Sequence, residues 1–488
     1  MTHRLNMRRF LMAILPLFII PAFTVAQETA APASAQTQSF VKEYLAYYDS
    51  IQNFRYYDQR GINVFESPKD KVTFQGLRVR FGAGFTQQFQ SLKHENYLSG
   101  QASVPPTEVG NKLYPLSTGF NTAQANLNMD VQLADGIRLH LVTYLSSRHH
   151  NEAWVKGGYI QFDKLPFKGQ FWDKLMDIVT VKVGHMEINY GDAHFRRTDG
   201  GQSLYNPFME NYIIDAFTTE IGGEVYARMG SLFGMIGLTN GEIKGDVKEI
   251  TAPATDPVAK KSPAIFLKGG FDHNFSPKLR VRGTASYYGD KSSANNTLFW
   301  GDRTGSNYFL VMENTTANAT AQAWSGRVNP LFSDRTQGFM LNGFLKFSGL
   351  ELFGTYETGK GRQAAQVGTS SLSSPEDRNF NQFAGDVVYR FGPKENVFVG
   401  LRYNTVSLDN IWNTGKTTET DPLKNQVISN VGIDRTAFAA GWFLTRNVLL
   451  KGEYVIQNYK DYDKSSVPKN QYGKGKFSGY VIEAIVGF

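Results

Sequence analysis

Thr122-Ala123-Gln124-Ala125-Asn126-Leu127-Asn128-Met129-Asp130-Val131-Gln132-Leu133 alternates without a break. Ala123, Ala125, Leu127, Met129, Val131 and Leu133 fall on one side, and Thr122, Gln124, Asn126, Asn128, Asp130 and Gln132 on the other. Successive side chains of a strand point to opposite faces, so this is a strand with one apolar and one polar face; no helix sorts these residues so. Upstream, Leu77, Val79, Phe81, Ala83 and Phe85 alternate with Arg78, Arg80, Gly82, Gly84 and Thr86. An Arg facing lipid near the midplane of a bilayer costs about 2–4 kcal/mol, so the two arginines are expected to point into a lumen. Leu279, Val281, Gly283, Ala285 and Tyr287 repeat the arrangement against Arg280, Arg282, Thr284 and Ser286.

Short turns separate such runs at Asp135-Gly136, Gly230-Ser231, Ser276-Pro277, Ser348-Gly349, Gly392-Pro393 and Arg446-Asn447, all built from turn-forming residues. Transmembrane barrels place short turns at the periplasm and long loops outside. Counting from Val72 gives strands near 72–89, 121–133, 137–146, 153–163, 178–190, 216–229, 231–241 and 264–275, then near 278–289, 337–347, 350–358, 381–391, 397–406, 434–445, 447–458 and 477–488. The expectation is an all-β transmembrane antiparallel barrel of sixteen strands, an even count that leaves both ends at the periplasm. A further pair hidden between Asp290 and Gln337 would make eighteen. Residues 308–328 alternate poorly, however, and read as loop.

Composition agrees. Mean hydropathy is −0.34, yet aromatics make up 14% of the chain and 47 residues are Gly, a pattern left by a soluble all-β protein or by barrel strands whose alternation averages out. Cysteine is absent. Arg4, Arg8 and Arg9 precede an apolar run from Phe10 to Phe23, broken by Pro16 and Pro21, and Thr24-Val25-Ala26 supplies small residues before Gln27. Residues 1–26 read as a secretory signal peptide, and their removal would take three arginines from the formal charge of +7. The remaining Lys and Arg are scattered singly, which argues against nucleic acid as a partner. Residues 27–60 read as an N-terminal lead. Phe40, Tyr44, Tyr47, Tyr48 and Ile51 stand at helical spacing and suggest a short amphipathic helix, expected in the periplasm at the barrel mouth in preference to a partial plug. Residues 61–488 are then the barrel.

On the last strand Tyr480, Ile482, Ala484, Val486 and Phe488 form one apolar face and the chain stops on an aromatic residue. This resembles the C-terminal signal of bacterial outer-membrane proteins, which implies recognition by the barrel assembly machinery and a place in the outer-membrane lipid. From about Gly61 the chain looks like a general porin of the phosphate-selective porin O and P type, in a form reminiscent of Bacteroidota sequences. Val183-Gly184-His185-Met186-Glu187-Ile188-Asn189-Tyr190-Gly191-Asp192 leads into a long loop, where members of that family place the segment that folds inward and narrows the channel. The resemblance implies a homotrimer. The loop lacks the lysine- and arginine-rich form of the phosphate-selective prototypes, so phosphate selectivity does not carry over.

A sixteen-stranded barrel is too wide for side chains to fill, so an aqueous channel is expected. By the face assignments, Arg78, Arg80, Arg138, Lys182, Arg228, Lys268, Arg280, Arg282, Lys346, Arg390, Arg402, Arg435 and Lys451 point inward. They are opposed by Asp130, Asp163, Glu220, Glu224, Asp272, Glu351, Glu357, Asp386, Glu453 and Glu483. The small positive excess implies at most a mild preference for anions, although each residue singly could be a cross-wall ion pair. The loop from Gly191 to Asp215, with Asp192, His194, Arg196, Arg197, Asp199 and Glu210, is the candidate constriction; an outward surface loop is the alternative.

Enzyme signatures are weak. Asn413-Thr414-Gly415-Lys416-Thr417 mimics the end of a phosphate loop but has Asn410 where the first Gly is required, and Leu98 stands where a second metal-binding His would follow His94-Glu95. His140 could join a serine in a lipid hydrolase. Asp461 and Asp463 fall short of the 6–8 oxygens calcium takes. No cofactor and no metal is expected. The sequence reads as a porin for small hydrophilic solutes or anions, with a loop-based adhesion or binding barrel, or a membrane lipid hydrolase, as alternatives.

Overall fold

A computed structural model describes residues 51–488, except 68, 122, 147–151, 246, 248–260, 294, 319–323, 364–376 and 414–425. The expected signal peptide, the helical stripe from Phe40 to Tyr48 and most of Asn413–Thr417 lie outside the described residues. The strands are β1 (Arg78–Glu95), β2 (Gln124–Ala134), β3 (Ile137–Leu145), β4 (Trp154–Phe162), β5 (Val179–Glu187), β6 (Thr219–Met229), β7 (Leu232–Thr239) and β8 (Ala264–Ser276). They continue as β9 (Leu279–Asp290), β10 (Arg335–Phe347), β11 (Leu350–Arg362), β12 (Arg378–Phe391), β13 (Val397–Asn413), β14 (Gln426–Thr445), β15 (Val448–Lys460) and β16 (Lys476–Gly487). Each pairs antiparallel with its neighbours in sequence, and β16 returns to β1 from Gly84↔Gly487 to Glu95↔Lys476, so the wall closes at sixteen. A two-residue piece, Gly119–Phe120, prolongs the wall above β2 beside Phe89 and Gln90. Among the described residues, 291–334 hold no strand, which removes the eighteen-strand alternative.

Alternation dictates which face each residue takes. On β2 Gln124, Asn126, Asn128, Asp130 and Gln132 are buried inside, whereas Leu127 and Leu133 are 52% and 40% exposed on the outside. Arg80 and Arg282 point inward, as the cost of facing them to lipid requires. Phe85, Val183, Leu341, Phe383, Leu401, Phe438, Tyr454 and Ile482 continue the outer apolar belt around the circumference. A closed wall with apolar side chains outside and polar ones inside is a barrel that crosses a membrane. On β16 Tyr480, Ile482, Ala484, Val486 and Phe488 face out and Glu483 faces in. Backbone bonds between Ala83 and Phe488, of 2.9 and 3.0 Å, complete the seam.

Three segments turn into this cylinder. The first corrects the reading of the lead: the stretch from Ile51 to Ser67 lies inside the barrel near its short-turn end, and the wall begins at Arg78 instead of Val72. Gln52 Oε1 accepts from Gly136 N–H (2.8 Å), Asn53 donates to Asp163 (2.7 Å), Tyr57 to Asp130 (2.7 Å) and Asn63 to Glu351 (2.6 Å). Arg80 stacks over Phe54 at 4.3 Å. Outside the mouth these aromatic and amide groups would have only water to meet. The second segment is residues 188–218 between β5 and β6; the third is residues 291–334 between β9 and β10.

Together the two loops fill the long-loop half of the lumen with an apolar core. Ile188, Tyr190, Met209, Ile213 and Ile214 from one loop and Leu298, Phe299, Tyr308, Val311, Met312 and Phe332 from the other pack against Phe266, Tyr288, Phe380, Leu408, Val431 and Val455 of the wall. A fully aqueous lumen is therefore not what forms. Where the loop crosses the wall the fit is close: a Cβ on Gly84 would stand 2.7 Å from the carbonyl oxygen of Gly201. Only glycine permits that approach.

The electrostatic centre of the lumen ties all three layers together. Arg282, fully buried on β9, holds Asp192 through two bonds of 2.8 Å, Glu66 of the lead at 2.7 Å and Asp272 of β8 at 3.1 Å. Lys268 on β8 meets Glu66 and Asp192 at 2.8 Å each. Removing one partner from such a buried network leaves uncompensated charge. Arg282→Met is expected to lower stability by about 3–5 kcal/mol in urea titrations of the detergent-folded barrel. Lys464→Met, which breaks the exposed 3.2 Å pair with Asp461, should change it by less than about 1 kcal/mol.

Candidate functional site

What the loops leave open is a cavity of 530 Å³ in the sector walled by β2 to β7. Alternation on these short strands brings Asn126 and Asn128 of β2, Arg138 and His140 of β3, Tyr159 and Gln161 of β4, Thr180 and Lys182 of β5, Tyr226 and Arg228 of β6 and Phe233 of β7 to its wall. The lead contributes Arg55, Tyr57, Phe65 and Lys69, and the 188–218 loop contributes His194, Phe195, Arg197, Asp199 and Gln202. Lys69, Asp177 and Gly230 mark its short-turn end, and Lys156, Arg197 and Asp199 its upper end.

The charges around this space are unevenly matched. Among the described residues, Arg55, Lys69, Lys182 and Arg228 have no carboxylate at ion-pair distance, and of the lining acids Asp177 and Glu187 have no Lys or Arg partner. Lys182 stands 5.2 Å from the ring of Tyr159 and 5.0 Å from that of Tyr226. Arg228 lies 5.0 Å over Phe233. Arg55 donates to the carbonyls of Gly61 and Phe195, at 2.9 and 2.8 Å, and lies 3.8 Å over Tyr205. Lys69 donates to the backbone carbonyls of Asp163 and Val179. Glu66, by contrast, is taken by Lys268 and Arg282, whereas Glu187 faces only His194, at 3.4 Å, whose burial disfavours the charged ring.

The upper end is a buried cluster that joins both loops to β4. Lys156 pairs with Asp199, and with Asp302 at 2.8 Å; Arg197 reaches Asp302 at 3.2 Å and also binds Asp215, which Arg327 meets at 2.9 Å. The two loop carboxylates differ in proton affinity. Burial, reinforced by Asp302 against the pull of Lys156, pushes Asp199 up to about 7. Asp302 stays well below the ordinary range, because the attraction of Lys156 and Arg197 outweighs its burial.

The residues expected to line the channel divide by task. Arg138, Lys182 and Arg228 reach the cavity. Arg402, Arg435 and Lys451 do not: they anchor the 188–218 loop, Arg402 through the carbonyl of Glu210 (2.8 Å), Arg435 through that of Asn211 (2.7 Å) and Lys451 through those of Ser203, Asn206 and Phe208. Arg282 and Arg280 belong to the ionic centre, the latter bound to Asp272 at 2.7 Å and to the carbonyl of Asn63. Arg80 faces the lead, over Phe54 and Tyr56, and Arg78, not among the cavity's lining residues, sits opposite Gln132 on β2; Asp130 is occupied by Tyr57, Arg138 and His140. Glu224 accepts from the Asn189 N–H at 2.8 Å and from the Tyr226 hydroxyl. In each case the inward side chain meets other protein groups, loop carbonyls, carboxylates or rings, in place of water.

The 188–218 loop turns inward throughout, which removes the outward-loop alternative. His194, Arg197 and Asp199 border the cavity. Asp192 joins Arg282, Arg196 stands 3.5 Å from Glu351 and binds Asn63, and Glu210 accepts from Ser306 and from the Asn307 N–H, both at 2.6 Å. Arg55, Glu66, Lys69, Asp302 and Arg327 were not anticipated. A usable signal existed for the last two, since Phe299, Trp300, Tyr308 and Phe309 are too apolar for a solvated loop. His140 has Asp130 and Tyr57 as hydrogen-bond partners and no serine, and the described residues contain no group of three or more metal-ligating side chains.

No family model matches the chain, and no curated protein does. Among solved structures the barrel is similar to the anion-selective porin from Comamonas acidovorans, with a TM-score of 0.47 and 10% identity over 84% of this chain and 100% of that one. It is also similar to OmpT, an outer membrane protein of Vibrio cholerae (TM-score 0.45, 10% identity, 86% and 99% of the two chains). The outer membrane channel DcaP of Acinetobacter baumannii is a third (TM-score 0.43, 10% identity, 85% and 99%). These likenesses concern the barrel fold alone.

Proposed function

We propose that the protein is an outer-membrane porin through which small hydrophilic solutes diffuse passively, with a mild preference for anions. The observation that carries this reading is the imbalance around the cavity: Arg55, Lys69, Lys182 and Arg228 stand without carboxylate partners against Asp177 and Glu187. A low-dielectric wall with unmatched cations concentrates anions in the space it encloses. The cavity along β2 to β7 is the path on this reading, and the cluster of Lys156, Arg197, Asp199 and Asp302 is its constriction.

A homotrimer and an assembly signal in Tyr480, Ile482, Ala484, Val486 and Phe488 belong to the same proposal, the first by family resemblance and the second by the outward aromatic end of β16. The packed long-loop half of the lumen favours a second reading, a binding or adhesion barrel, and a bilayer that stays silent after insertion would select it.

Reconstituted in planar bilayers, the protein is expected to give steady open conductance and a reversal potential on the anion side. Lys182→Glu and Arg228→Glu should each move it toward cations, and an unchanged potential in both would place permeation elsewhere. Acidification from above to below about 7 neutralises Asp199, removes a negative charge from the constriction and should strengthen the anion preference. Deleting Phe488 is expected to cut the yield in outer membranes while refolding into detergent persists; equal losses in both would reduce the residue to part of the seam.

A further inference from the structure

Six of the seven short-end connections contain a handful of residues at most, but residues 163–178 between β4 and β5 include the helix α1 (Gln170–Met176). The connection sits at the short-turn end beside Asp135-Gly136, because Asp163 N–H bonds to the carbonyl of Gly136 at 2.7 Å and Lys164 pairs with Asp135 at 2.5 Å. A short helix that only linked two strands would be polar on its free side. This one is the reverse. Phe171 and Leu175, four apart, share one face of the helix, and Phe167 lies just ahead of it; the three are 68%, 37% and 55% exposed. Trp172 touches both phenylalanines, with ring centroids 5.3 Å from Phe167 and 5.1 Å from Phe171. Met176, on the other side, is buried. Lys168 and Lys174 flank the cluster in the open.

We propose that this helix docks on the periplasmic leaflet of the membrane the barrel spans, with Phe167, Phe171 and Trp172 at the boundary between headgroups and acyl chains and Lys168 and Lys174 at the headgroups. Two observations favour lipid over a protein partner. The connection is continuous with the lipid-facing belt, since it joins Ile160 and Phe162 of β4 to Val179, Val181 and Val183 of β5, and Ile160 and Val183 are among the exposed outer residues. Further, outward aromatics mark the short-turn ends of β4, β8, β10, β12 and β16 in Phe162, Phe275, Phe347, Phe391 and Phe488, whereas β3, β5 and β6 end there on Ile137, Val179 and Met229. Barrels carry an aromatic girdle at both interfaces, and the helix extends it from Phe162 past β3, β5 and β6, whose short-turn ends carry none.

The test uses the full chain in vesicles of phosphatidylethanolamine and phosphatidylglycerol with brominated acyl chains. The emission of Trp172, taken as the difference between the native protein and Trp172→Phe, is expected to lose more than half its intensity relative to unbrominated vesicles. The double variant Phe167→Ser/Phe171→Ser should abolish that quenching while bilayer conductance and heat-resistant migration are retained. Trp172 emission quenched by aqueous iodide and untouched by brominated lipid would overturn the proposal. So would dissociation of an oligomer by the double variant, which would make the stripe a contact between copies of this chain.

Discussion

Lipid offers no hydrogen-bond partner to a peptide group, so a chain that crosses it with strands must return its last strand to its first. Here the return is the ladder from Gly84↔Gly487 to Glu95↔Lys476, with Phe488 as its final rung on Ala83. Once the wall is closed, every strand is committed to one face for lipid and one for the interior. The inner face then inherits more than a dozen cations and nearly as many acids, most of which need partners. Everything inside the cylinder follows from how those charges find partners.

They find them largely in the chain itself. Lys451 could pair with Glu483 alone, at 3.0 Å, but it also collects three carbonyls from the 188–218 loop. Arg402 combines Asp386 with the carbonyl of Glu210, and Glu453 accepts from the Met209 N–H and the Tyr308 hydroxyl, one group from each loop. A loop that enters a lumen must satisfy its own backbone, and the inward charges of β13 to β16 provide for it. In the opposite sector the loop covers only part of the wall, and there Lys182 and Arg228 border open space.

The wall was legible in the sequence because period-2 alternation is a local property repeated along sixteen segments, and a slip of one residue would turn each apolar face inward. Strand count, facing and the short turns all follow from it. The interior was not legible in that way. Residues 51–67 and 291–334 carry no period, and their fit depends on partners far off in the chain, as in the pairing of Asn63 with Glu351. The inward direction of Arg402 and Arg435 was evident from their neighbours on the strand, but whether each meets water or a carbonyl was not. The 188–218 loop was found through resemblance and its charge content. Residues 308–328 read only as loop, and their inward course stayed hidden because the polar, repetitive centre masked the aromatic residues on either side.

The anchors of the 188–218 loop also impose an order of events. Neighbouring strands can zip together as hairpins, each closing only a short length of chain, but the groups that fix this loop lie more than two hundred residues downstream: Arg435 for Asn211, Lys451 for Ser203 and Glu453 for Met209. Contacts of such separation form late, since loop-closure entropy must be met before they reward it. The stretch from Ser203 to Asn211 therefore lacks these anchors while the first dozen strands assemble. It settles when β13 to β15 arrive, and the growing barrel is at its most open just before it is finished.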